Sequence, residues 1–421
     1  MSEYLINVID IGSVKFTTLI GLLKKDTQEI QIIGVNNSKS KGVKKGLIVD
    51  IDQVAHSLNE SIEKVERMAG HKINNAYVSV GGPHITSLNS KGVVAISNPN
   101  NEISTTDTKR VIEAAKAISL SSARQIIDAT PRDYIVDGQE GIKNPLGMKG
   151  IRLEVETHII TASQTNLNNI ERCLSILGIN NNGFIFSGLA SAEAVLNDTE
   201  KELGVVVVDI GGGKTDLCIF IDGSLAYSSS LPIGARHVTN DIAVGLRVSL
   251  DSAEKIKLFL SEFDAKTNKT LKKEDQLGIH HLNLPENINE ISHKMVVDGI
   301  INPRLEEIFK MIFEEIEKSG FGHNIPSGLV ICGGGSLTTN IATIGKRIIG
   351  LPIKIGQPSG VTGLIDEILN PAFATAVGLL LIARKEIFSG EEKGKFSFIA
   401  KDMNINQIVT GFKNFFKQFI P

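Results

Sequence analysis

The chain has 421 residues, 42% of them hydrophobic and 22% charged, with a formal net charge of −3. That length exceeds one ordinary core and calls for two or more domains, and the composition is globular rather than disordered. The charge balance gives no reason to expect a nucleic-acid partner. Cys173, Cys218 and Cys332 each stand alone in apolar stretches, without a CxxC pair or a nearby His, and read as buried thiols of a reducing compartment. The N-terminus lacks a basic region followed by an apolar one, so no signal peptide is expected. The longest apolar run, around Ala376 to Ala383, falls far short of the roughly 20 residues of a membrane span. The body is expected to be soluble and cytoplasmic.

In chain order, Tyr4 to Thr18 reads as strand, tight turn and strand, with Asp10-Ile-Gly-Ser at the turn. Asp52 to Ala69 carries Val54, Leu58, Ile62, Val65 and Met68 at helical spacing. Thr108 to Ile118 reads as a short helix, Ile151 to Ala162 as a strand, and Gln164 to Leu177 as an amphipathic helix ended by Gly178. Gly204 to Phe220 then repeats the opening pattern: a β-rich run ends at Asp209, followed by Ile-Gly-Gly-Gly-Lys-Thr and another β-rich run. The two copies lie about half a chain apart, as two homologous lobes require. A charged region with a loop around Asp264 to Lys273 follows. Leu329 to Cys332 reads as a buried strand that enters the glycines 333–335. Alternating strands and helices make the chain an α/β protein.

The tail differs. Residues 386–404 read as a flexible linker. Beyond it, Ile405, Ile408, Val409, Phe412, Phe415, Phe416, Phe419 and Ile420 recur at i, i+3, i+4, i+7, with Lys413 and Lys417 on the polar face. Such a stripe suits either a helix packed back on the protein or one lying on anionic membrane lipids; the Phe density and the lysines favour the membrane.

Gly at a hairpin tip lets backbone N–H groups approach phosphate oxygens, because no Cβ intervenes. Gly12, Ser13 and Lys15 would do this in the first lobe, and Gly211, Gly212, Gly213, Lys214 and Thr215 in the second. Asp10 and Asp209 would face Mg2+ through its waters, which that ion surrenders reluctantly. Gly333, Gly334, Gly335 and Ser336 form either a plain βα turn or a side-chain-free bed for an adenine ring. No GxxxxGK[ST] pattern occurs, which disfavours the P-loop class. The ligand expected is ATP with Mg2+.

These motifs resemble those of the actin/Hsp70/sugar-kinase superfamily: Asp10-Ile-Gly-Ser its first phosphate motif, Asp209 to Asp216 its second, and Gly333 to Ser336 its adenosine motif. Gly188 to Ala194 and Pro371 to Gly378 look like its two small-residue hinge helices, and Glu254 and Lys257 like the pair that reaches the ribose and adenine. Within the superfamily, Lys45 to Asp50, Ala76 to Gly82, Ile300 to Ile308 and the tail resemble the FtsA family of bacterial cell-division actin homologues.

The resemblance implies an actin-like ATPase fold, with two lobes each built on an RNase H-like mixed sheet. It implies subdomain 1A over 1–82 and 163–203, a 1C insertion over 83–162, and 2A over 204–232 and 305–370. Subdomain 2B would span 233–304, a return to 1A 371–385, and the membrane-targeting helix 405–421. It further implies head-to-tail self-assembly and recruitment of other division proteins. The FtsZ C-terminal peptide would be received near Arg304, at the division septum on the inner face of the cytoplasmic membrane. ATP hydrolysis, if any, would be slow, and no catalytic base is identified. The rival readings are a PilM- or MreB-type actin homologue and a small-metabolite kinase of the same superfamily.

Overall fold

The computed structural model describes residues 3–266, 275–389 and 397–398. The expected helix 405–421, with Ile408, Val409, Phe412, Phe415, Phe416, Phe419, Lys413 and Lys417, lies outside the described residues, as does most of the expected loop at 264–273.

The first lobe opens with β1 (Glu3–Ile11), β2 (Lys15–Lys24) and β3 (Ile30–Lys39), followed by α1 (Ile51–Ala69) and β4 (Asn75–Val80). After an insertion, α3 (Gln164–Ile176), β9 (Asn180–Phe186) and α4 (Ser187–Val195) complete it. The sheet order is β9-β4-β1-β2-β3, with β1 antiparallel to β2 and parallel to β4. α1 forms where expected. Asp50 caps it by accepting from the Gln53 amide at 3.0 Å, and Gly70 ends it in the left-handed region at φ 70°. Val54, Leu58, Ile62 and Val65 pack its apolar stripe into the lobe's core.

The second lobe repeats this plan. β10 (Val205–Ile210), β11 (Thr215–Ile221), β12 (Ser224–Leu231), β13 (Leu329–Cys332) and β14 (Ile353–Ile355) stand in the order β14-β13-β10-β11-β12. β10 is antiparallel to β11 and parallel to β13, as β1 is to β2 and β4. The internal repeat read from the sequence is therefore a repeat of topology. β10 is buried along its whole length, as a strand covered on both faces must be. Val206 and Val208 join the second lobe's core, whereas Val205 and Val207 face the other way and join the cluster holding the first lobe together. Between β12 and β13 come α5 (Arg236–Leu246), α6 (Leu250–Lys266), a π turn at Val297–Ile301 and α7 (Asn302–Ser319).

Between β4 and α3 lies the insertion. It comprises β5 (Thr86–Ala95), α2 (Thr105–Lys116), β6 (Arg124–Val136), β7 (Gln139–Ile142) and β8 (Arg152–Ser163), in the sheet order β5-β8-β6-β7. It has its own small core around Val111, Tyr134, Leu153 and Val155. α2 starts three residues before the position expected from its apolar stripe. Its first turn is polar but is fixed by a reciprocal capping box between Ser104 and Asp107.

After α8 (Ile341–Ile349), the chain returns through α9 (Ala374–Ser389). This helix runs four residues past the expected end at 385, and Ser397–Phe398 pair with Tyr4 and Leu5 of β1. Part of the interval read as linker therefore belongs to the first lobe. α9 crosses α4 so closely that a Cβ on Gly378 would stand 1.7 Å from the Ala190 carbonyl oxygen. Small residues on both helices permit this approach.

Candidate functional site

The two hairpin turns are built alike. In the first, Gly12 N–H donates to the Lys15 carbonyl at 3.1 Å; in the second, Gly211 N–H donates to the Lys214 carbonyl at 2.9 Å. Asp10 pairs in register with Thr17, and Asp209 with Asp216. Each lobe thus presents an aspartate at its strand end and a lysine at the fourth turn position. The turns meet where the two lobes join. A Cβ on Gly213 would stand 2.8 Å from Ser13 Cβ, and one on Gly212 only 2.2 Å from Val14 Cγ2.

Serine and threonine hydroxyls hold the carboxylates. Ser79 of β4 donates to Asp10 Oδ1 at 2.7 Å. Ser191 of the hinge helix α4 and Thr375 of α9 donate to Asp209 Oδ2 at 2.5 and 2.9 Å. Both hinge helices therefore touch one metal-facing candidate. Burial raises the pKa of Asp10 against the pull of Ser79, Lys214 and Lys15. Burial likewise raises Asp209, against Lys214 and the two hydroxyls. Lys15 is lowered by burial, which Asp10 and Asp209 only partly offset, and its ammonium lies 4.2 Å from the Phe373 ring centroid. For Lys214, burial works against the charge, but Asp216, Asp209 and Asp10 outweigh it and the pKa rises. Carboxylates whose ionised form is disfavoured by burial gain most from an added cation. The donor set, all hard oxygen, fits a hydrated Mg2+ better than a softer metal.

The third glycine turn abuts this centre. A Cβ on Gly333, whose φ is 79°, would stand 2.2 Å from Asp209 Oδ1. Gly334, by contrast, has no neighbour nearer than Ala372 Cβ at 3.8 Å, an open face free of side chains that fits a flat ring. Gly335 packs against Ile210 and Ala235. Close by in the same lobe, on α6, Lys257 Nζ bonds Glu254 Oε2 at 2.8 Å and Thr239 Oγ1 at 2.9 Å, so the two side chains expected at the nucleoside are engaged with each other here.

Some candidate donors are engaged within the protein. Thr215 Oγ1 is buried and donates to the Ile233 carbonyl at 2.8 Å, which anchors the loop after β12 rather than offering a proton to a ligand. Ser336 Oγ donates to the Gly333 carbonyl at 2.7 Å and shapes the third glycine turn. Ser13 Oγ accepts from Gly46 N–H at 2.9 Å. Arg304 lies away from the clasp and makes a two-pronged pair with Asp241 at 2.5 and 3.0 Å, with Glu307 as a further partner. The sequence reading did not select Ser79, Ser187, Ser191, Asp216 or Thr375.

A two-lobed molecule with repeated mixed sheets, a double hairpin clasp and crossing hinge helices belongs to the actin-like ATPase fold class. Among solved structures of this fold, it is similar to the PilM component in the PilM–PilN type IV pilus biogenesis complex. The identity there is 15%, covering 90% of this chain and 98% of that one, with a TM-score of 0.61. It is also similar to MreB5 of Spiroplasma citri bound to ADP, with 15% identity, 92% and 99% covered, and a TM-score of 0.52. The family model "SHS2 domain inserted in FTSA" matches residues 82–161, and the model "Cell division protein FtsA" matches residues 206–378. The cell division protein FtsA of Pseudomonas aeruginosa is 37% identical over 376 residues, covering 89% of this chain and 88% of that protein. The chain belongs to the FtsA family, a cell-division branch of the actin-like proteins.

Proposed function

We propose that this cell-division actin homologue binds Mg-ATP between its lobes, polymerises head to tail on the inner face of the cytoplasmic membrane, and tethers FtsZ filaments there. The matched pair of hairpin turns carries the reading, because it gathers Asp10, Lys15, Asp209 and Lys214 where the lobes meet. The Gly12 and Gly211 N–H groups, expected at the phosphates, close their own turns, so the N–H groups of Ser13, Gly212 and Gly213 would bind the phosphates, and Asp10 and Asp209 would hold the metal's water shell. Gly334 would face the adenine, with Glu254 and Lys257 at the nucleoside. The bound ion neutralises phosphate charge, and the lobes contribute to one ligand from both sides, which favours the closed form.

The FtsZ C-terminal peptide would dock beside the Arg304–Asp241 pair. Val244, one turn along α5 from Asp241, is 79% exposed and offers an apolar anchor beside these charges. The insertion, residues 83–162, would meet the next subunit and other division proteins. Residues 405–421 would lie on anionic lipid, each buried Phe adding about 1.5–3 kcal/mol before the cost of ordering the helix. No helix among the described residues is long and apolar enough to cross a membrane.

Two measurements test the reading. In liposome co-sedimentation with ATP, the intact chain should pellet and a chain ending at Glu392 should stay in solution; equal pelleting removes the membrane role. Calorimetric titration should detect Mg-ATP binding that Asp10→Ala and Asp209→Ala each abolish; no binding by the intact chain removes the nucleotide role, and binding unaffected by either substitution removes the role of the aspartates.

A further inference from the structure

Lys214 takes an unusual path through the molecule. It ends the second-lobe turn, yet its side chain crosses into the first lobe and threads between two glycines there. A Cβ on Gly46 would stand 2.9 Å from Lys214 Cδ, and one on Gly81 would stand 2.4 Å from Nζ. At the end of this channel, Nζ donates to Ser187 Oγ at 2.6 Å and pairs with Asp216. Asp216 is itself held by Ser187 at 2.6 Å and Ser230 at 2.5 Å, and its side chain is 1% exposed. Lys15, at the equivalent turn position of the first lobe, makes no such crossing and reaches Asn37 at 3.4 Å.

We propose that the Lys214 ammonium is a built-in counter-ion of the phosphate clasp, supplying part of the positive charge that a divalent ion would otherwise have to bring. This rests on the reading of the clasp as an ATP site. Three carboxylates, Asp10, Asp209 and Asp216, converge there with the ammoniums of Lys15 and Lys214. Removing Lys214 doubles the excess negative charge, from one to two, that a triphosphate meets. A divalent ion can then make good the deficit, so its presence matters more. Binding of ATP by this chain is accordingly less dependent on Mg2+ than binding by the same clasp without the lysine.

The alternative roles for Lys214 behave differently. A lysine that only donated to a phosphate, or only bolted the lobes together, would change ATP affinity by the same factor with and without the metal. Titration of the full-length chain with ATP, in excess Mg2+ and in excess EDTA, separates them. The ratio of the two affinities should be at least about tenfold larger in Lys214→Gln than in the wild type, the change in Coulomb energy expected for one partly buried charge. An equal ratio in both proteins overturns the proposal while leaving the ATP site standing. A wild type that binds no ATP even with Mg2+ overturns both. If the buried Asp216 left behind in Lys214→Gln prevents folding, a second variant keeps the lysine and removes the carboxylate it pairs with. Asp216→Asn by itself makes the opposite change, lowering the excess from one to zero, so its ratio should fall about tenfold below the wild type's, and an unchanged ratio overturns the proposal.

Discussion

Asp209 sits where α4 and α9 meet the second hairpin turn, and Ser191 and Thr375 both donate to its carboxylate. Hydrogen bonds to a charged group contribute about 1.5–3 kcal/mol each. Ser191→Ala combined with Thr375→Val should therefore cost on the order of 3 kcal/mol in urea denaturation and weaken Mg-ATP binding at least about tenfold. Unchanged affinity would mean that the turn backbone alone positions the carboxylate. Asp10 and Asp209 were legible in the sequence because both end a β-rich run before Ile-Gly. Their partners were not. A serine in α4 or β4 has no local pattern that distinguishes it from a surface serine, and only the packing of distant elements brings it to a carboxylate. Asp216 lay inside the motif, but nothing in its spacing announced a buried pair with a lysine two residues away.

Elements were read well where periodicity and caps agreed, as in α1, and less well where polar first turns hide a start, as in α2. The hinge shows what composition can reveal. Gly188 to Ala194 and Pro371 to Gly378 are rich in small residues, and the crossing of α4 over α9 uses that smallness directly. Gly378→Ala pushes a methyl into the Ala190 carbonyl and should destabilise the protein by about 3 kcal/mol, the upper range for overpacking. Gly299→Ala is the control, since a Cβ there meets nothing within 4 Å. It should change stability by less than about 0.5 kcal/mol. Thermal melting of the pair decides the matter: similar losses in both would show that the close crossing relaxes freely.

At the scale of the whole molecule, the insertion does more than decorate the first lobe. It covers the edge strand β12 of the second lobe, a pairing that no sequence pattern disclosed because its contacts are scattered Ser, Asn and His side chains. Ser87 Oγ donates to the Ser228 carbonyl at 2.7 Å, and Asn89 Nδ2 donates to the Ala226 carbonyl at 3.2 Å. That second bond turns Asn89 Oδ1 toward His158, so Nδ1 of the imidazole donates to it at 2.7 Å and Nε2 accepts from Ser228 Oγ at 3.0 Å. The buried ring is neutral: burial, then the nearby Arg132, lowers its pKa to about 3. The unfolded chain titrates near 6.5, so between about pH 6.5 and pH 3 the unfolded state binds more protons than the folded one. The contribution of this seam is fully present above pH 6.5 and declines as the pH falls, by about 3 kcal/mol on reaching pH 4.5. His84, lowered to about 4 chiefly by burial, acts in the same direction. Because the seam joins insertion to second lobe, acid should loosen it before it disturbs the central strands. Hydrogen exchange corrected for the intrinsic pH dependence should show protection falling first in β5, β8 and β12 and persisting in β10. His158→Gln, which cannot take up the proton, should flatten the stability profile across this window. A profile as steep as the wild type's would place the acid sensitivity elsewhere in the molecule.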